Sequence, residues 1–302
     1  SDVGECHEND GVHRNSGRIY KVTYGTPKSP AESNLGKLSD RQLAEFIHAK
    51  NEWHFRQARR LLQERSLAGK DLSQEVSYLG KALREAPAVT VKLRALWMLN
   101  SIKTLRESEL LGLLELPEAE LRCWGIRLLM ELPKVSENTQ QALIRLAQRD
   151  SSAKVRLELA GALQKLPLEQ RPALGLALSK HGADAADHNL PLMIWYGMEG
   201  SISTNPANGV KLAIETEIPK LKLFCARLLT EEVAKSPQYL DDLLSQAALA
   251  GSSTQKEVAR GIQEGLRGIR KAKAPGSWKG FESRLSSGKD EESKTLAREI
   301  AL

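Results

Sequence analysis

Residues 155–166 read Val-Arg-Leu-Glu-Leu-Ala-Gly-Ala-Leu-Gln-Lys-Leu, and this stretch decides the fold class. Val155, Leu159, Ala162 and Leu166 recur every three or four positions, which places them on one face of an α-helix. Leu, Ala and charged residues dominate the middle of the chain and only 5% of residues are aromatic, a composition that favours helices. The sequence therefore predicts an all-α protein. Similar apolar stripes begin at Phe55, Leu93, Leu121 and Leu221.

A basic residue lies near the start of each striped helix, at Arg56, Arg94, Arg122, Arg156 and Lys222. The separations are 38, 28, 34 and 66 residues, the last spanning one further unit, which indicates a repeat of two helices with a period in the thirties. The variable period favours HEAT-like units over the stricter tetratricopeptide pattern. We predict that residues 37–302 form a HEAT-like α-solenoid of about six to seven antiparallel helix pairs.

Local signals at helix starts agree with this partition. Ser39 and Gln42, and likewise Thr254 and Glu257, have the spacing of a capping box, in which two side chains satisfy free amides of the first turn. Pro237, which follows a serine, suits the first position of a helix.

Residues 1–36 differ from the rest of the chain. Residues 18–24 read Arg-Ile-Tyr-Lys-Val-Thr-Tyr, and their β-branched and aromatic side chains predict a β-strand. Because a single strand needs neighbours for its backbone groups, we expect it to belong to a sheet that is mostly missing from this sequence. Residues 25–36 contain Pro27 and Pro30 and are typical of a linker.

Charge and cysteine content narrow the function only a little. The net charge is +6, with 44 basic against 38 acidic residues, which is compatible with nucleic acid, an acidic protein partner or simple solubility. No run approaches the roughly 18 apolar residues of a membrane span, and no signal peptide opens the sequence. The three cysteines form no CxxC, so neither a zinc cage nor a c-type haem attachment is encoded, and we predict that Cys123 and Cys225 are buried thiols.

Residues 6–14 read Cys-His-Glu-Asn-Asp-Gly-Val-His-Arg and form a polar N-terminal segment. Its candidate residues are Cys6, His7, His13 and Arg14. Cysteine, histidine and aspartate can all bind a metal, so a metal site is one interpretation. A polar loop at the rim of the missing sheet is the interpretation we favour.

Residues 187–196 read Asp-His-Asn-Leu-Pro-Leu-Met-Ile-Trp-Tyr, a polar loop leading into an apolar helix. Asp187 could orient the imidazole of His188 for proton transfer or ligand binding. Alternatively, Asp187 or Asn189 caps the helix while Trp195 and Tyr196 pack between repeats. We treat Asp187, His188, Asn189 and Trp195 as a candidate interaction loop.

Two basic clusters are candidate binding surfaces, and each has a simpler interpretation. The first cluster is Arg56, Arg59 and Arg60, which could line a basic face or could pair with Glu52 and Glu64 across helical turns. The second cluster is Arg270, Lys271 and Lys273, which could contact phosphates or could be a solvated helix end. No catalytic motif accompanies them, and we assign no catalytic residue.

Several short stretches, taken in order, resemble one protein family. They are residues 16–22 (Ser-Gly-Arg-Ile-Tyr-Lys-Val), 38–40 (Leu-Ser-Asp), 50–53 (Lys-Asn-Glu-Trp), 58–65 (Ala-Arg-Arg-Leu-Leu-Gln-Glu-Arg) and 187–191 (Asp-His-Asn-Leu-Pro). Together they resemble the membrane-bound dehydrogenase, or heme-binding-domain, proteins of planctomycetes and verrucomicrobia. That family joins a β-propeller similar to soluble glucose/sorbosone dehydrogenases, a HEAT-repeat region and a C-terminal cytochrome c domain.

The resemblance implies that residues 1–36 are the last propeller strand with its linker and that residues 37–302 are the HEAT region. It implies a periplasmic or secreted location, with a quinone and haem c in domains that this sequence lacks, and no cofactor here. The first hypothesis is a non-catalytic docking and spacer module of a sugar or alcohol dehydrogenase. The alternative is a free-standing HEAT-repeat protein that binds nucleic acid or a protein partner.

Overall fold

The computed structural model describes Tyr20 and residues 22–26, 34–269, 273–288 and 290–301. All regular secondary structure in these residues is helical: sixteen α-helices joined by short loops and 3-10 turns. The all-α prediction is confirmed.

The helices form two alternating sets. The odd-numbered helices are α1 (Asp40–Glu45), α3 (Ser73–Glu85), α5 (Glu107–Leu113), α7 (Glu137–Arg149), α9 (Arg171–Ser179), α11 (Ala207–Glu215), α13 (Pro237–Leu249) and α15 (Trp278–Ser287). The even-numbered helices are α2 (Glu52–Leu67), α4 (Val89–Ser101), α6 (Ala119–Leu129), α8 (Ala153–Leu163), α10 (Leu190–Thr204), α12 (Pro219–Glu231), α14 (Ser252–Gly265) and α16 (Glu291–Ala301).

Packing follows the chain order, as in a solenoid. Each odd helix contacts the even helix that follows it, and each even helix contacts the next even helix from α2 to α16. The odd helices contact one another from α1 to α3 and from α5 to α15. The apolar stripes meet between the two layers in one continuous core. Each repeat therefore buries its apolar face against its neighbours, since one pair alone could not cover it.

The described residues form eight helix pairs, more than the six to seven predicted. Two of the odd helices, α1 and α5, have only six and seven residues, too few to show a clear stripe. In α14 the position that is basic in most even helices holds Gln255, so this unit lacks the residue that marks the repeat. The short odd helices and the missing basic residue explain why the sequence predicted fewer helix pairs than the structure contains.

Local signals at the helix ends behave as their chemistry requires, with one exception. The capping box of Ser39 and Gln42 is present at the start of α1, and α13 begins at Pro237, as predicted. Gly69 ends α2 with a positive φ of 82°, in a Schellman motif that includes the bond from Lys70 N to Arg65 O. The predicted cap at Thr254 is wrong, because α14 begins two residues earlier and the residue lies inside the helix.

The described part of the predicted N-terminal strand is not a strand. Tyr20 and residues 22–24 lack strand pairing, and the side chains of Tyr20, Val22 and Tyr24 are exposed. A single strand without a neighbour leaves its amides and carbonyls unpaired, so β-propensity alone does not form one. The other residues of the predicted strand lie outside the described residues, as do most of the residues of the predicted linker.

Candidate functional site

One position recurs along the even layer, at the fourth residue of each even helix from α4 to α14. The first turn of an even helix faces the loop after the preceding odd helix, where backbone carbonyls lack helical partners. A long donor side chain at this position reaches those carbonyls and the adjoining repeat. The residues are Lys92 (α4), Arg122 (α6), Arg156 (α8), Met193 (α10), Lys222 (α12) and Gln255 (α14).

Arg122 makes the first of two bidentate ion pairs between repeats. Its Nε lies 2.6 Å from Asp150 Oδ2 and its Nη2 lies 3.0 Å from Asp150 Oδ1. Its Nη1 donates to Leu116 O and Pro117 O, both at 2.8 Å. Asp150 follows α7, and its Oδ1 also accepts from Ser152 N at the start of α8. The hydrogen bond to Asp150 raises the pKa of Arg122, so the guanidinium stays charged at neutral pH.

Arg156 repeats this arrangement one unit later and is itself buried. Its Nε and Nη2 lie 2.6 and 2.5 Å from the two carboxylate oxygens of Asp184, which is also buried. Its Nη1 donates to Asp150 O at 2.8 Å, so Asp150 accepts from Arg122 through its side chain and from Arg156 through its backbone. The two ion pairs therefore form a continuous ladder across three repeats.

Lys92 forms a simpler contact at the start of the ladder. Its Nζ lies 2.7 Å from Glu118 Oε1 in the next repeat. This hydrogen bond, assisted by the lysine charge, holds the pKa of Glu118 below its ordinary value. Glu118 Oε2 is buried and has no hydrogen-bond partner among the described residues, so a lysine satisfies the carboxylate less completely than an arginine does.

The ladder does not continue into the later repeats. Met193 has no charge, and buried Lys222 donates to Ala213 O at 3.2 Å without an ion pair among the described residues. Burial lowers the pKa of Lys222, and the charge of Lys180 lowers it further. Gln255 donates to Ala248 O and Ala250 O, which satisfies local carbonyls but binds no neighbouring repeat.

Three members of this position, Arg122, Arg156 and Lys222, are among the basic residues predicted to mark the repeat, and the other two predicted residues lie elsewhere. Arg94 lies two residues after Lys92 and donates to Ile47 O, Ala49 O and Glu52. Arg56 is the fifth residue of α2 and is exposed. The partners Glu118, Asp150 and Asp184 were missed, although each follows its basic residue by 26 to 28 positions, a regular spacing that could have identified them.

The candidate loop before α10 is ordered by a cap. Asp187 Oδ1 accepts from Asn189 N and Leu190 N, both at 2.8 Å, and these bonds lower the pKa of Asp187. This agrees with the interpretation that Asp187 caps the helix. Asp187 Oδ1 is bonded to backbone amides and not to the imidazole of His188. His188 and Asn189 are exposed beside it. These three residues therefore present a fixed polar surface.

Trp195 does not share that surface and instead packs between repeats, as the second interpretation of the loop expected; the same expectation for Tyr196 is wrong. Trp195 is only 3% exposed, and its ring packs 5.2 Å from the ring of Phe224 in α12. As the sixth residue of α10 it points into the core between repeats. Its neighbour Tyr196 is 56% exposed.

The basic candidates lie apart in the described structure. On α2, Arg56 Nε lies 3.5 Å from Glu52 and Arg60 Nε lies 3.5 Å from Glu64, pairs that sequence analysis anticipated. Arg59 lies over the ring of Phe55, with Cζ 5.9 Å from its centroid. Exposed Lys273 lines a cleft of about 600 Å³ beside α13. Arg270 and Lys271 lie outside the described residues.

Metal and thiol chemistry find little support in the described part of the chain. Cys123 and Cys225 are buried as predicted, and burial raises the pKa of the Cys123 thiol to about 11. No three His, Cys, Asp or Glu side chains in the described ranges are placed to hold a metal ion. The N-terminal candidates lie outside those ranges; they are Cys6, His7, His13 and Arg14.

Comparison with known proteins does not assign the chain to a family. No known protein family matches the sequence, and no curated protein matches it either. Within the part of the chain that the structure describes, no helix is long and apolar enough to cross a membrane.

Proposed function

We propose that this chain is a HEAT-like docking and spacer module that holds two protein domains in a fixed relation. In the family that the sequence resembles, these would be the propeller and the cytochrome c domain of a periplasmic sugar or alcohol dehydrogenase. The observation that carries the proposal is the ladder of Arg122, Asp150, Arg156 and Asp184, which joins successive repeats through bidentate contacts, one partly buried and one buried.

A spacer must keep its length and twist while its ends carry load. In a solenoid, stiffness depends on the interfaces between neighbouring repeats. An apolar interface alone lets helices slide at little cost, whereas a bidentate arginine–carboxylate pair fixes both distance and angle. The ladder lies in the middle repeats, between α6 and α9, where bending would displace the two ends most.

The loop at Asp187, His188 and Asn189 is the contact with a partner domain in this proposal. Its support is local: the loop is exposed, and the Asp187 cap fixes its backbone before any partner arrives. A pre-ordered polar loop loses little conformational entropy on docking. The side chain of His188 is exposed and forms no hydrogen bond among the described residues, so it can contact a partner.

The alternative of a nucleic-acid-binding protein has less support. Arg56 and Arg60 are each within 3.5 Å of a glutamate, and Glu64 lies among the arginines of α2. A carboxylate in this position repels a phosphate backbone. Binding to another protein partner remains compatible with the same surfaces.

The coding sequence on either side of this segment provides the first test. A propeller-coding region upstream and a CxxCH motif downstream would support the spacer function, and flanking regions that encode neither would refute it. In the intact enzyme, His188→Ala should slow electron transfer between the domains while the thermal midpoint stays within about 1 °C, as expected for an exposed residue. Unchanged electron transfer would exclude the loop as the docking contact.

A further inference from the structure

The outer face of α2 carries a stripe of exposed side chains opposite its buried face. Trp53 is 49% exposed and Leu67 is 71% exposed. Between them, the side chains of Arg56, Arg60 and Glu64 are more than half exposed. Spacings of three and four residues place all five on one side of the helix, over about 21 Å.

The opposite face of α2 supplies the contacts that anchor the helix. Phe55, Ala58 and Leu62 are fully buried there. The helix packs against α1, α4 and the 3-10 turns at Leu35–Lys37 and Phe46–His48. Among the residues that the structure describes, no earlier even helix stacks on α2, so this stripe lies on the uncovered side of a well-anchored helix.

The charge of this stripe is positive. Glu52 lies nearer to Arg94, at 2.6 Å, than to Arg56, at 3.5 Å, so much of its charge is used within the repeat. Glu64 faces Arg60 at 3.5 Å, but the pair is exposed and such pairs contribute little. Arg59 at the edge of the stripe forms no ion pair within the described residues. Three arginines therefore face one glutamate.

We propose that this α2 stripe docks an acidic, partly apolar segment of a partner protein; the proposal deepens the docking function above and rests on it. Tryptophan and arginine are the residues most enriched at interface hot spots. Trp53 and Leu67 provide apolar anchors at the two ends, and the arginines provide bidentate donors for carboxylates between them. A second copy of the chain is disfavoured because the same stripe would bring arginines against arginines. Nucleic acid is disfavoured because Leu67, at one end of the stripe, can neither stack on a base nor bind a phosphate.

The probe is a dye-labelled synthetic helical peptide that carries glutamates and leucines on one face, titrated by fluorescence anisotropy in 50 mM NaCl. A matched peptide with lysine in place of glutamate controls for charge. We expect the acidic peptide to bind and the basic peptide not to bind. The variant Arg56→Glu/Arg60→Glu should weaken binding at least about tenfold, and Trp53→Ala about three- to tenfold, as for interface hot spots.

The control variant is Lys134→Glu/Arg145→Glu, which makes the same charge change at two exposed residues elsewhere and should bind as the unmodified protein does. Unchanged helical circular dichroism would show that each variant is folded. Equal binding by the α2 variant, no binding of the acidic peptide at 1 mM, or tighter binding of a 20-base-pair DNA duplex would overturn the proposal. Any of these results would leave the spacer function standing, because that function is tested by the flanking coding sequence.

Discussion

The middle repeats and the later repeats hold their neighbours by different means. Between α6 and α9, buried arginines at the fourth helical position bind carboxylates of the next repeat. At the equivalent position in α12 and α14, Lys222 and Gln255 bond only to nearby backbone carbonyls. The interface between α12 and α14 must therefore obtain its fixed relation from another source, whereas α14 and the start of α16 are joined by the ion pairs of Lys256 and Arg260 with Glu292.

That source is close packing through glycine. A Cβ placed on Gly261 of α14 would lie 2.3 Å from Leu223 O and 2.7 Å from Ala226 Cβ on α12. One turn later, a Cβ on Gly265 would lie 2.7 Å from Thr230 Cβ. The two glycines, four residues apart, let the backbones of α12 and α14 touch directly. At these two points the glycines have no side chain that can change rotamer, which favours a rigid interface.

The comparison shows that one architecture can fix its register electrostatically in one region and sterically in another. An ion-pair ladder depends on the charge of both partners, so it responds to pH and to substitution by isosteres. A glycine interface depends on the absence of a Cβ at the contact, so it tolerates changes of charge nearby but no added carbon at the glycine itself. Each property leads to a different experiment.

The largest effect is expected from Gly261→Val. The new side chain would meet the backbone of α12, which cannot rotate away, so α12 and α14 must separate. We expect a loss of about 4 kcal/mol or more in the free energy of unfolding, measured by urea titration with circular dichroism detection.

Gly280→Ala is the matched control. Gly280 lies in α15, is exposed, and has no atom within 4 Å of its ideal Cβ position. Alanine there should stabilise the protein by about 0.5–1 kcal/mol because it reduces the entropy of the unfolded chain. If Gly261→Val and Gly280→Ala had similar effects, the steric account of the later repeats would be wrong.

The second effect is expected from Asp150→Ala. This change leaves the guanidinium of Arg122 without its carboxylate and removes the acceptor for Ser152 N. We expect a loss of about 3 kcal/mol in the free energy of unfolding, the usual cost of leaving a buried charge unpaired. Asp150→Asn keeps an acceptor for the amide and should lose less, and exposed Asp242→Ala should change the stability by less than about 0.5 kcal/mol.

The sequence predicted the layered helices well because a stripe with a period of 3.6 is a local signal. It also placed Arg122, Arg156 and Lys222 in one repeating position. The roles of these residues could not be predicted, because a basic residue near a helix start has the same local pattern whether its partner is a carboxylate, a carbonyl or solvent. The two interpretations of Trp195 could not be separated for a similar reason: its burial depends on Phe224 in the next repeat, 29 residues away.

The third prediction applies one substitution to both regions. Lys222→Met removes a buried ammonium that has one hydrogen bond, and we expect a gain of about 1 kcal/mol in the free energy of unfolding. Arg156→Met makes the same kind of change in the ladder but leaves buried Asp184 unpaired, so we expect a loss of about 3 kcal/mol. Urea titration of both variants measures the contrast. Destabilisation by both would show that Lys222 also has an essential partner.

The smallest effect is expected from Glu118→Gln, which tests whether the Lys92–Glu118 contact depends on pH. The hydrogen bond and charge of Lys92 hold the pKa of Glu118 below its ordinary value of 4.5. A carboxyl group with a lowered folded-state pKa stabilises the protein above its ordinary pKa, and this contribution is lost as the pH falls through the folded value. Glu118→Gln should therefore cost about 1 kcal/mol in the free energy of unfolding at pH 7, and the difference from the unmodified protein should shrink below about pH 4. Gly261→Val, whose effect is steric, should keep its full cost over the same range. A Glu118→Gln effect that stays constant from pH 7 to pH 3 would show that the contact acts through packing, and the electrostatic distinction between the two regions would not extend to the Lys92 contact.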